Sequence, residues 1–217
     1  VSEAHQQPDP ARDEARAMLR LIRAHKTATL LSGDRATPVR YVIDNATGAL
    51  VAPVERELLG LDDYLLMIPD DSFDAIQIHA APTLVDHRAD ESCDRHLAYH
   101  GVQDPSAWVH FKIFSAKGTH PSLGALVVDG DALALPNPLR AVEPRACKQL
   151  NADPLALASL CKRCAGVSIE RPVAVGVDPD GFDVRAKFGI VRVELHPSID
   201  DPDRLAPALA ALLAENF

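Results

Sequence analysis

No stretch of this 217-residue chain is apolar over the roughly 18 to 20 consecutive positions that a membrane span needs, so no membrane partner is expected. Positive charge is scarce. The 22 lysines and arginines face 31 aspartates and glutamates, for a formal net charge of −9. That balance argues against nucleic acid as a partner, because a phosphate backbone demands a basic surface. A few local cations can still hold a small anion, since distant charges are screened beyond roughly 8 to 10 Å. The 4 cysteines are too few for a disulfide scaffold. They read as free, mostly buried thiols of a reducing cytoplasm. Val1 to Pro10 lacks the basic-then-apolar pattern of a signal peptide, and the sequence leaves open whether an upstream segment was removed. No Gly-x-Gly-x-x-Gly, Walker loop, Gly-x-Ser-x-Gly or His-Glu-x-x-His occurs. The usual nucleotide-fold and hydrolase routes are thereby closed.

What is present divides into two parts. Residues 1–9 read as a loose tail. Asp9-Pro10 then supplies a cap and a first-turn proline for a helix with Ala15, Met18, Leu19 and Ile22 at i, i+3, i+4, i+7. Short β-rich pieces follow: Thr27 to Leu31, Val39 to Asp44, Ala49 to Val54, Tyr64 to Ile68 and Ala75 to Val85. The turn Asp44 to Gly48 makes a hairpin of the second and third. A helix from about Asp90 to Tyr99, the aromatic strand Trp108 to Ser115 and a strand from Leu123 to Val128 complete this part. Closely spaced short strands with a leading and an inserted helix suggest a barrel. The proline-rich stretch Ala134 to Pro138 sets a boundary, giving a domain over 10–136 and a smaller one over 137–217. In the second, a helix-rich stretch from Glu143 to Ala165 precedes two alternating strands that flank Asp178-Pro-Asp-Gly181. Those four residues suit a tight turn, with the first aspartate able to bond its own backbone. A third strand carries Val191, Val193 and Leu195 on one face, and a last helix follows. The class expected is α+β, with a small antiparallel sheet and helices behind a barrel.

Several segments carry a family likeness. Glu14 to Leu31 is similar to the helix-then-strand opening of HugZ-type heme-utilisation proteins, whose FMN-binding split barrel is related to pyridoxamine 5′-phosphate oxidase. Asp94 to Gly101 followed by Trp108 to Phe114 looks like that family's inserted helix and next strand. Gln149-Leu-Asn-Ala-Asp153 resembles the opening of its small C-terminal domain, and the Asp178 to Pro197 block is the strongest match. The resemblance implies a split barrel with that small domain, a cytoplasmic homodimer, and FMN or heme at the dimer interface. If it is an enzyme, it would be a flavin- or heme-dependent oxidoreductase. Against the family pattern, the second-strand region Asp34 to Tyr41 has no serine, and Glu55 to Gly60 has no His-Thr-x-Asn. The alternative is a cofactor-free binding or regulatory protein on the same scaffold, a plan also resembled by plant proteins that bind glutamyl-tRNA reductase.

The candidate ligand residues are Arg40, Tyr41, Trp108, His110, Lys112, Lys117 and His120. Trp108, His110, Lys112 and Phe114 alternate on one strand face, mixing aromatic surface with cationic donors as a planar anionic molecule requires. Arg40 is the best-placed phosphate fork by strand register and Lys112 the best second cation. Lys117 and His120 lie in the following loop. The bland reading of these residues is an amphipathic strand face at an edge or subunit contact, and an arginine paired with a nearby carboxylate. Cys93, His96 and His100 share a helix face, but no fourth ligand is evident and no metal is assigned. Cys161 and Cys164 lie within a helix and read as small buried hydrophobes. No catalytic residue is assigned.

Overall fold

The computed structural model describes residues 10–60, 63–69, 74–101 and 107–214. The chain divides into two compact units. One is Val1–Ile43 with Ala49–Val85 and Pro105–Leu135; the other is Asp44–Gly48 with Asp86–Asp104 and Pro136–Phe217. This division differs from the simple cut expected near residue 136. The Asp44–Gly48 turn and the inserted helix group with the C-terminal unit. No described helix is long and apolar enough to cross a membrane.

The first unit opens with α1 (Pro10–Ala24), whose Ala15, Met18, Leu19 and Ile22 are all buried, as their spacing predicts. The strands are β1 (Thr27–Ser32), β2 (Arg35–Arg40), β3 (Val42–Ile43), β4 (Leu50–Val54), β5 (Tyr64–Ile68), β6 (Ile76–Leu84), β7 (Ala107–His120) and β8 (Gly124–Asp129). They form one antiparallel sheet in the order β2-β1-β5-β6-β7-β4-β3, with β8 paired to β7. Strands β2 and β4 approach each other and bring the ends of that path together, so the sheet curls on itself. The curl wraps a core of Leu30, Tyr41, Leu50, Leu66, Ile68, Ile78, Val109 and Phe111.

The sheet splits along β7. One edge of that strand follows β6, while the other takes β4 over Ala107–Phe111 and β8 over Ser115–His120. At the fork, β6 residues His79 and Ala80 lie opposite Ser115 and Ile113, leaving Phe114 as the extra residue of a bulge. The bulge reverses the parity of the strand. Val109, Phe111 and Ile113 face the core before it, and Ala116 after it. Against the fork packs the short helix α3 (Gly130–Leu133), capped by Asp129, whose carboxylate accepts from the Asp131 N–H.

The expected second strand, Val39 to Asp44, is two elements here. Gly33 adopts φ 56° and turns β1 back into β2, while Tyr41 separates β2 from β3. A positive φ is cheap only for glycine, which is why the reversal falls there.

The second unit comprises α2 (Glu91–His100), α4 (Glu143–Leu150), α5 (Pro154–Ala165), β9 (Val173–Asp178), β10 (Gly181–Ala186), β11 (Gly189–Glu194) and α6 (Pro202–Ala214). Its sheet runs β11-β10-β9, antiparallel throughout. Phe182 and Val184 join Leu150, Leu157, Leu160, Cys161, Leu205 and Leu209 in a second core. The architecture is α+β, a split-barrel sheet with a small antiparallel sheet and helices, as the sequence predicts.

Candidate functional site

The outward face of β7 gathers the residues that the sequence singles out. Trp108, His110 and Lys112 alternate with the core residues Val109, Phe111 and Ile113. Trp108 is buried outside the barrel core, His110 is half-buried and Lys112 is exposed. Phe114 at the bulge is 54% exposed, a large aromatic surface on the same strand as that cation. Because the bulge shifts parity, Lys117 returns to the exposed face, where its cross-strand neighbours are Gln77 and Val127. His120 ends the strand instead of sitting in a loop, and its Nδ1 accepts from the Ser122 N–H at 3.2 Å.

Two further candidates lie elsewhere. Tyr41 is buried in the barrel core. Its hydroxyl donates to the Ile22 carbonyl at 2.8 Å, and its N–H donates to the Lys26 carbonyl at 3.0 Å. Its phenol anchors the end of α1 and is spent there. Arg40 is exposed at the end of β2. Arg40 lies two residues before Val42, whose cross-strand partner Val51 sits opposite His110, so two strand spacings separate this part of the chain from β7. At roughly 4.8 Å each, that is about 10 Å from Val42 to His110, with Lys112 two residues further along β7.

The second unit holds a buried charged cluster that sequence reasoning missed. Arg192 on β11 forks onto Asp178, Nη2 to Oδ1 at 2.6 Å and Nη1 to Oδ2 at 2.7 Å, and reaches Asp183 at 3.3 Å. Asp178 also accepts from the Asp180 N–H at 2.9 Å, the self-bonded turn expected of it. From α2, Tyr99 donates to Asp183 at 2.9 Å and Arg95 donates to Glu143 at 2.6 Å. Glu143 further accepts from the Val177 N–H and from Asn45 of the Asp44–Gly48 turn. The Arg95 and Tyr99 side chains cross the β9 backbone at Gly176, where an added Cβ would lie 1.8 Å from the Tyr99 oxygen. Carboxylates and guanidinium groups pair with one another here, although the buried Arg95 Nε lacks a hydrogen-bond partner, so the cluster organises the unit. Among the described residues, no group of His, Cys, Asp or Glu is placed to hold a metal.

The thiols divide by exposure. Cys93 and Cys161 are buried, Cys147 is half-buried, and Cys164 is exposed, which corrects its reading as a buried hydrophobe. Burial pushes the Cys93 thiol up to about 12, aided by Asp90, Asp94 and Asp86, and pushes Cys161 up to about 11. The Tyr99 hydroxyl is also raised, by burial first and then by Asp183. Raised values in the folded state stabilise it fully below the unfolded values, near 9 for thiols, and that stability is lost as pH climbs through the folded ones. The melting temperature should therefore fall progressively between about pH 9 and pH 12. A melting temperature that stays level to about pH 11 would contradict this burial.

Fold and face together define a split-barrel protein with an aromatic, cationic outer strand. No protein-family model matches the chain, and no curated protein matches it. Among solved structures, the protein Atu2129 of unknown function from Agrobacterium tumefaciens superposes over 98% of this chain and 100% of its own. The identity there is 16% and the TM-score 0.61, a likeness of fold alone. A heme binding protein from Mycobacterium smegmatis aligns over 97% of this chain and 98% of its own, at 18% identity. Its TM-score of 0.45 is too loose to carry an argument about ligands.

Proposed function

We propose that this protein binds a planar anionic molecule of the heme or flavin class on the outer face of β7, at a seam between two copies of the chain. The observation that supports this reading is the run Trp108, His110, Lys112 and bulged Phe114 along one outward-facing strand. Aromatic surface stacks on a planar ring system, and a lysine answers a carboxylate or phosphate by a charge-assisted hydrogen bond. In a chain of net charge −9 the attraction must come from such local cations, because the general field is unfavourable. The residues present fit such a group: Phe114 offers ring surface above the buried Trp108 end of the strand, Lys112 and Lys117 offer anion contacts, and His110 offers an imidazole. A bound flavin or heme would supply electron transfer, leaving the chain to orient it and exclude water.

One observation favours the cofactor-free alternative. Tyr41 is committed to the core, which leaves the phosphate end of a flavin one donor fewer. Titration with hemin and with FMN, followed by visible absorbance, separates the readings. Saturable binding of either is expected, and Lys112→Ala should weaken it about tenfold to a hundredfold, the usual worth of a hydrogen bond to a charged group. Equal affinity in both proteins removes Lys112 from the site. Absence of saturable binding by the wild type moves the function to cofactor-free partner binding.

A further inference from the structure

We infer that α2 opens as a separate unit, detaching from the C-terminal sheet while both hydrophobic cores stay folded. This conformational device does not depend on the ligand reading. No residue of α2 belongs to either hydrophobic core, although Cys93, His96 and Tyr99 on it are buried. The bonds that pin the helix to its own unit are polar. They include Arg95 to Glu143, Tyr99 to Asp183, and the Arg185 guanidinium to the Ala98 carbonyl. The one ion pair among them, Arg95 to Glu143, fixes a geometry closely but adds little net stability, because desolvation offsets most of the Coulombic gain. Apolar burial holds the remainder of the unit, and it suffers no such offset.

The surface that α2 would leave behind is already satisfied. Glu143 keeps the Val177 N–H and Asn45, and Asp183 keeps Arg192. Release therefore strands neither carboxylate, which removes the largest penalty for opening. A helix spanning only Glu91–His100 is too short to persist alone, so once detached it melts. The device is an electrostatically docked helix on a hydrophobically held scaffold.

Cysteine positions supply the test in the intact chain. Cys164 is exposed, Cys93 is buried on α2, and Cys161 is buried in the core on α5. Labelling with a disulfide reagent across sub-denaturing urea, read by peptide mass, should modify Cys164 at once and Cys93 later. Cys161 should follow last. The Cys93 rate should be nearly independent of urea, while the Cys161 rate rises steeply. Leu209→Ala, which thins the second core, should speed Cys161 at least tenfold and leave Cys93 unchanged, whereas reaction of Cys93 through global unfolding would speed both. Cys93 reacting in step with Cys161, at the same urea dependence and the same response to Leu209→Ala, would overturn the inference. Cys93 reacting in step with Cys164 would overturn it equally.

Discussion

Replacing Arg192 with alanine should destabilise the protein by about 3 to 5 kcal/mol, the usual cost of removing one partner from a buried ion pair. The side chains of Arg192, Asp178 and Asp183 are 9%, 12% and 3% exposed, so water cannot readily take the guanidinium's place. The variant would keep the two carboxylates that Arg192 bridges, with Tyr99 still donating to Asp183. In a chain of this size such a loss corresponds to a drop in melting temperature on the order of 10 °C. Arg192→Lys should lie between, since it keeps the charge but loses the two-pronged fit to Asp178. Urea denaturation of the three proteins measures the series. A loss below about 1 kcal/mol for the alanine variant would mean that the cluster is solvated in solution.

Gly130→Ala should be about as damaging, for a steric reason. A Cβ at Gly130 would lie 2.0 Å from the Ile113 carbonyl oxygen, 2.6 Å from its carbon and 2.9 Å from the Phe114 carbonyl carbon. All three are backbone atoms at the fork of β7, so no side-chain rotation can relieve the contact. Either α3 lifts from the sheet or the bulge shifts, at a cost of about 3 kcal/mol or more, the upper part of the overpacking range. The single tryptophan, Trp108, lies on the same strand. Its fluorescence should change in the folded variant as well as during unfolding. An alanine variant with unchanged stability and an unchanged Trp108 spectrum would show that Gly130 is not in contact with β7.

How much could be read from the sequence differed with the kind of signal. Apolar periodicity placed α1 and the core residues of β7, because period 3.6 and period 2 are local properties. The bulge at Phe114 was not legible. Its cause is the fork between β4, β6 and β8, which are far apart in sequence, so strict alternation placed Lys117 and His120 in a loop. Tyr41 illustrates the opposite limit. Its alternation with Val39 marks it as inward-facing, but only the fold shows that Ile22 claims its hydroxyl. The Arg192 pairing, by contrast, was within reach. The tight turn between Ala186 and Gly189 fixes the register of β10 and β11, and that register places Asp183 directly opposite Arg192. The signal was a pair of charges on alternating strands, and alternation by itself reads such charges as solvent-facing.

The interleaving of the two units bears on how the gene can be divided. The Asp44–Gly48 turn and the segment carrying α2 belong to the C-terminal unit, yet both are encoded upstream of the proline-rich boundary. A fragment ending at residue 136 would carry Arg95 and Tyr99 with neither Glu143 nor Asp183 to receive them. The complementary fragment would display those two carboxylates without their upstream donors. Truncations, split reporters and domain-swapped chimeras cut at that boundary would each sever a buried cluster. A graft that moves the C-terminal unit with this cluster complete must therefore take its turn and its helix along, as three pieces of chain and not one.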